Sequence, residues 1–93
     1  AWQAVIENPD KVKNEIYCIG PDNPIKIKDY VNMIAEKLSW SGDVNWNTKP
    51  PRAGEIYLLN SSNRKLTTHT GWEPSVSLSD GVDRTIETWK SFL

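Results

Sequence analysis

Two segments of the chain carry apolar residues at helical spacing. The first stripe falls at positions i, i+3, i+4, i+7 and i+11 and consists of Ile27, Tyr30, Val31, Ile34 and Leu38. The second repeats at intervals of four, four, three and four residues and consists of Leu78, Val82, Ile86, Trp89 and Leu93. Because residues at these intervals share one face of an α-helix, the pattern predicts two amphipathic helices.

Capping residues mark a third helical stretch and the start of the last helix. Ser61 or Ser62 can begin the short stretch, and Gly71 supplies the stop that a helix C-terminus favours. Ser77 followed three residues later by Asp80 fits a capping box, in which the serine hydroxyl accepts a backbone N–H. We therefore expect roughly three helices.

Three short segments favour extended structure. Residues 15–19 are rich in β-branched and aromatic side chains and end in a Gly-Pro turn, residues 44–47 alternate between apolar and polar, and residues 56–59 are apolar. With the helices, these segments predict a small α+β fold with two or three short strands.

Composition indicates one small globular domain. The chain has 93 residues, of which 38% are hydrophobic and 25% charged, and its net charge is -1. A nearly neutral chain does not favour nucleic acid or an anionic membrane as partner, and no apolar run approaches a membrane span. Cys18 and His69 stand alone, which excludes an internal disulfide and a zinc site. These features predict a soluble, cytoplasmic domain without a metal.

The segment Pro50-Pro51-Arg52-Ala53-Gly54-Glu55 is the best candidate for chemistry. Arginine presents a planar fork of donors that matches phosphate, and Glu55 can accept hydrogen bonds from ribose hydroxyls. The alternative is an ordinary solvated Arg–Glu pair in a surface loop. Lys49 is expected to be a solvated neighbour of Arg52.

The order of motifs resembles a known family over almost the whole chain. R-x-G-E at 52–55 is followed by a short helix, by Gly71-Trp72-Glu73-Pro74, and by S-L-S-D-G with a helix that contains Trp89. This order resembles the C-terminal part of the extended short-chain dehydrogenase/reductases, the NAD-dependent nucleotide-sugar epimerases and dehydratases. Residues 1–7 read as a helix without a capping residue before it, which also suggests a piece of a longer protein.

The resemblance implies a function for the loop. It implies that residues 1–93 are a single substrate-binding subdomain whose Rossmann domain is absent. In this family the arginine contacts the diphosphate of the sugar nucleotide, the acidic residue contacts the ribose, and an apolar residue at a helix start lies near the base. These positions match Arg52, Glu55 and Ile27, although the apolar stripe explains Ile27 equally well.

The chain lacks the residues with which this family catalyses. Its five glycines do not have the spacing of a dinucleotide-binding loop, and no lysine stands four residues after any tyrosine. We therefore expect no catalysis and no cofactor binding by this chain; NAD(P) would bind to the missing N-terminal domain of a parent epimerase or 4,6-dehydratase. The expected partners are that domain and a nucleotide diphosphate sugar.

A second interpretation is a stand-alone binding or protein-interaction module. The chain contains five tryptophans, which can anchor a thin core or mark a surface that faces another protein. Both possibilities are compatible with the sequence.

Overall fold

The computed structural model describes residues 1–93 and contains five helices. The chain divides into two compact units, one formed by Ala1–Pro24 and Leu58–Ser75 and the other by Ile25–Tyr57 and Val76–Leu93. The helices, in chain order, are α1 (Trp2–Glu7), α2 (Pro9–Val12), α3 (Ile27–Lys37), α4 (Arg64–Thr70) and α5 (Leu78–Lys90).

Helices α1, α2 and α4 belong to the first unit. Pro9 occupies the first turn of α2, where its missing N–H costs no hydrogen bond. Helix α4 ends at Gly71, which adopts the left-handed conformation with φ of 76°, as its sequence position predicted. Leu66 of α4 is fully buried and forms the centre of this unit.

Helices α3 and α5 pack against each other in the second unit. Val82 of α5 is buried, and the Lys37 ammonium lies 2.8 Å from each carboxylate oxygen of Asp83, which ties the two helices together. The hydroxyl of Ser77 accepts the backbone N–H of Asp80 at 3.1 Å, so the predicted cap of α5 is confirmed. Both predicted amphipathic helices are present.

The prediction of an α+β fold with two or three short strands is wrong, because the structure contains five helices and no strand. Residues 15–20 show the physical reason, since side chains satisfy their backbone groups where a strand would have a ladder. Gly20 donates to Asn63 Oδ1 at 2.8 Å, and the Ile19 carbonyl accepts the Ser61 hydroxyl at 3.1 Å. The apolar residues of 56–59 are exposed and pair with no other segment.

Buried apolar residues are few, since Leu66 and Val82 are the two buried hydrophobic side chains. Of the tryptophans, Trp2 and Trp89 are mostly exposed, the latter at 67%. Cys18 is exposed as well. None of the five helices combines the length and apolar character needed to cross a bilayer.

Candidate functional site

The loop that carries Arg52 is closed by two hydrogen bonds with Glu55. The backbone N–H of Glu55 donates to the Arg52 carbonyl at 3.2 Å, and the Arg52 N–H donates to Glu55 Oε2 at 3.2 Å. Gly54 adopts φ of 75°, a left-handed conformation that a residue without a Cβ reaches at no steric cost. Two prolines precede Arg52, and their fixed φ stiffens the approach to this turn. The sequence Pro-Pro-Arg-Ala-Gly-Glu thus builds a defined turn.

The carboxylate of Glu55 contacts the Arg52 backbone and forms no salt bridge with the Arg52 guanidinium. The two salt bridges of the structure join Lys37 to Asp83 and Lys65 to Glu15. Arg52 is exposed, and its side chain donates no hydrogen bond within the protein. Arg52 and Glu55 are thus two exposed side chains of one surface loop without a salt bridge between them, and the guanidinium fork is open to solvent.

An open concavity of about 1100 Å³ in the second unit brings together all three residues predicted for the site. Arg52 and Glu55 line it from the turn, and Ile27 lines it from the start of α3. A volume of this order accommodates a nucleotide-sized ligand. The three candidates, separated by up to 28 positions in sequence, are neighbours around one cavity.

Ile27 is the first residue of α3 and is 77% exposed. Membership in the apolar stripe of α3 therefore does not bury it. Its exposed side chain offers an apolar surface at the edge of the concavity, which is the kind of contact that a nucleobase face can use.

Eight further residues line the concavity and were not predicted as site residues, and three of them carry long polar side chains. Lys26 immediately precedes α3, Lys49 precedes the two prolines, and Tyr57 follows the turn. Tyr57 is 89% exposed. Their proximity in sequence to Ile27 and Arg52 is the one signal that pointed to them, and it does not reveal which side chains share the cavity.

A second polar group lies in the first unit, around α4. The Tyr17 hydroxyl and His69 Nδ1 are 2.6 Å apart, and the Lys65 ammonium lies 5.2 Å from the centre of the Tyr17 ring. The Lys65 ammonium also forms a salt bridge with the Glu15 carboxylate at 2.6 Å. The hydrogen bond from Lys65 and its positive charge lower the pKa of Glu15. The same hydrogen bond raises the pKa of Lys65. These contacts attach residues 15–17 to α4, and sequence analysis did not predict them.

Comparison with known proteins finds similarity to one kind of enzyme. The chain is 32% identical over 69 residues to a protein of Arabidopsis thaliana provisionally named GDP-L-fucose synthase 2. It is 30% identical over 69 residues to GDP-L-fucose synthase 1 of the same plant. Each match covers 74% of this chain and 20% of the relative, so the chain spans about a fifth of the length of these curated relatives.

No family model matches the chain. No solved structure matches it either. The chain therefore contains a region similar to GDP-L-fucose synthases, and this agrees at a general level with the family that the order of motifs resembles.

Proposed function

We propose that this chain is the sugar-nucleotide-binding part of an NAD-dependent nucleotide-sugar epimerase or dehydratase, and that its ligand is a guanosine diphosphate sugar. The observation that carries the proposal is that Arg52, Glu55 and Ile27 line one concavity. The guanosine base is inferred from the names of the relatives, which are GDP-L-fucose synthases. The proposal treats residues 1–93 as one functional part of the protein.

In the proposed complex the Arg52 guanidinium binds the diphosphate. Arginine stays charged at any working pH, and its planar fork gives two parallel hydrogen bonds to phosphate oxygens. Because the turn around Gly54 is already closed, little conformational entropy of the loop is lost on binding. A fixed diphosphate holds the attached sugar in place for a reaction elsewhere in the protein.

Glu55 has two roles in the proposal. Oε2 accepts the Arg52 N–H and shapes the turn, while a carboxylate retains further lone pairs for ribose hydroxyls. Ile27 supplies an apolar contact to the base.

The residues of this chain do not fit a dinucleotide cofactor. A glycine-rich loop opening a helix after a strand holds such cofactors, and neither the glycine spacing nor a strand is present here. We assign NAD(P), which would supply hydride transfer, to another part of the parent enzyme, and this chain's own contribution is to bind and orient the substrate.

The proposal is tested in the full natural polypeptide that carries this chain. We expect Arg52→Ala to raise KM for a GDP-sugar roughly 10- to 100-fold with a smaller change in kcat, because a charge-assisted hydrogen-bonding group contributes about 1.5–3 kcal/mol. Arg84→Ala is the matched control, since Arg84 is exposed on α5 and does not line the concavity. An unchanged KM in Arg52→Ala would remove Arg52 from the site.

The stand-alone interaction module is the second candidate function, favoured by the exposed apolar residues of both units. The two candidate functions predict different effects of Arg52→Ala on the binding of GDP-sugars. A module without a sugar-nucleotide site would show the same binding of GDP-sugars in the Arg52→Ala and Arg84→Ala variants.

A further inference from the structure

We infer that Lys26 and Lys49 form a second anion anchor in the concavity, which makes the site selective for nucleoside diphosphates over nucleoside monophosphates. The inference rests on the proposed function and adds that the second phosphate group of the ligand is what the site selects. Sequence analysis left Lys49 as a solvated neighbour of Arg52 and assigned nothing to Lys26.

The first argument is the charge around the concavity. Lys26, Lys49 and Arg52 face it against a single carboxylate, that of Glu55. The concavity therefore has an excess of positive charge in a protein whose net charge is -1. A local excess of one sign attracts a ligand of the opposite sign.

The second argument is that neither lysine has a partner within the protein. Lys37 and Lys65 are held by the two salt bridges, and the ammonium of Lys28 lies 5.9 Å from the centre of the Trp46 ring. Lys26 and Lys49 donate no hydrogen bond and join no carboxylate. The concavity is thus lined by two lysines without a partner and by Arg52.

The third argument concerns the ligand. One guanidinium can hold one phosphate group through two parallel hydrogen bonds, but a diphosphate presents a second phosphate group a few ångströms away. Lysine is a flexible point charge with three donors, and it suits a neighbouring phosphate oxygen whose position is not fixed by a planar fork. Arg52 therefore binds one phosphate group of the diphosphate and the lysines bind the other, whereas a monophosphate binds only to the arginine.

The experiment measures the affinities for GDP and GMP by calorimetry in the full natural polypeptide. The variants are Lys26→Gln, Lys49→Gln, the double variant, Arg52→Ala, and Lys11→Gln as a control of equal charge change. Lys11 lies on α2 in the first unit and its side chain has no partner. We expect each single glutamine variant to lower the affinity for GDP about fivefold, since an exposed ionic contact is worth up to about 1 kcal/mol. The double variant should lower the affinity for GDP about 25-fold.

The affinity for GMP should change by less than about twofold in the lysine variants, so that preference for the diphosphate falls with the number of lysines removed. Lys49→Arg, which keeps the charge, should retain the affinity for GDP. If the lysine variants bind GDP as Lys11→Gln does while Arg52→Ala weakens it, the second anchor is refuted and the proposed site stands. If Arg52→Ala leaves GDP binding unchanged, the proposed site and the anchor both fail.

Discussion

At the scale of single residues, Gly54 and Glu55 decide how Arg52 is presented. Gly54 has φ of 75° with no heavy atom within 4 Å of an added Cβ, so its requirement is conformational and not a matter of space. The Glu55 carboxylate then holds the Arg52 N–H. A binding arginine benefits from a fixed backbone because a mobile loop loses more conformational entropy when it binds.

We expect Gly54→Ala to weaken binding of a GDP-sugar several-fold, because a left-handed alanine costs about 1 kcal/mol and the strain is relieved by opening the turn. Gly81→Ala is the matched control: Gly81 lies within α5, where an added Cβ would meet Val76 Cγ1 at an ordinary 3.9 Å. Calorimetric titration of both variants checks this. Equal affinities in the two would show that the conformation of residue 54 does not matter for the site.

At the scale of elements, each helix is determined by residues close together in sequence. The segments predicted as strands needed hydrogen-bond partners from distant parts of the chain. Helix α5 has a serine cap at Ser77 and Asp80 in its first turn, and its apolar residues recur every three or four positions. A strand needs a second strand to complete its hydrogen bonds. Residues 15–20 instead meet the side chains of Ser61, Asn63 and Lys65.

The cap of α5 is open to a direct test. We expect Ser77→Ala to lower the protection of the α5 amides about fivefold, since loss of an N-cap hydroxyl costs about 1 kcal/mol. Hydrogen–deuterium exchange with mass spectrometry measures this locally. Ser79→Ala serves as control because the Ser79 hydroxyl, in the same turn, makes no hydrogen bond, and comparable losses in both variants would show that the cap does not stabilise the helix.

At the scale of the whole molecule, the concavity is open and the apolar surface is large. Arg52 with one or two helpers contributes a few kcal/mol, whereas micromolar affinity requires about 8 kcal/mol. The chain spans about a fifth of the length of its curated relatives, and in the proposed function the remaining walls of the site belong to other parts of the protein.

We therefore expect the 93-residue chain by itself to bind nucleotide diphosphate sugars with millimolar or weaker dissociation constants. NMR chemical-shift mapping suits this range, and the shifts should cluster at Lys26, Ile27, Lys49, Arg52 and Glu55. The Arg52→Ala variant of the same chain provides the baseline. A micromolar site would contradict the view that this concavity is incomplete.

The sequence by itself determined the helices α3 and α5, the stop at Gly71 and the turn around Arg52, because each depends on residues a few positions apart. It also singled out Arg52, Glu55 and Ile27 through the order of motifs. Only the tertiary structure decided that residues 15–19 form no strand and that Lys26 and Lys49 share a cavity with Arg52. Those outcomes depend on which distant segments meet, and that is settled by packing and by hydrogen-bond partners far away in the chain.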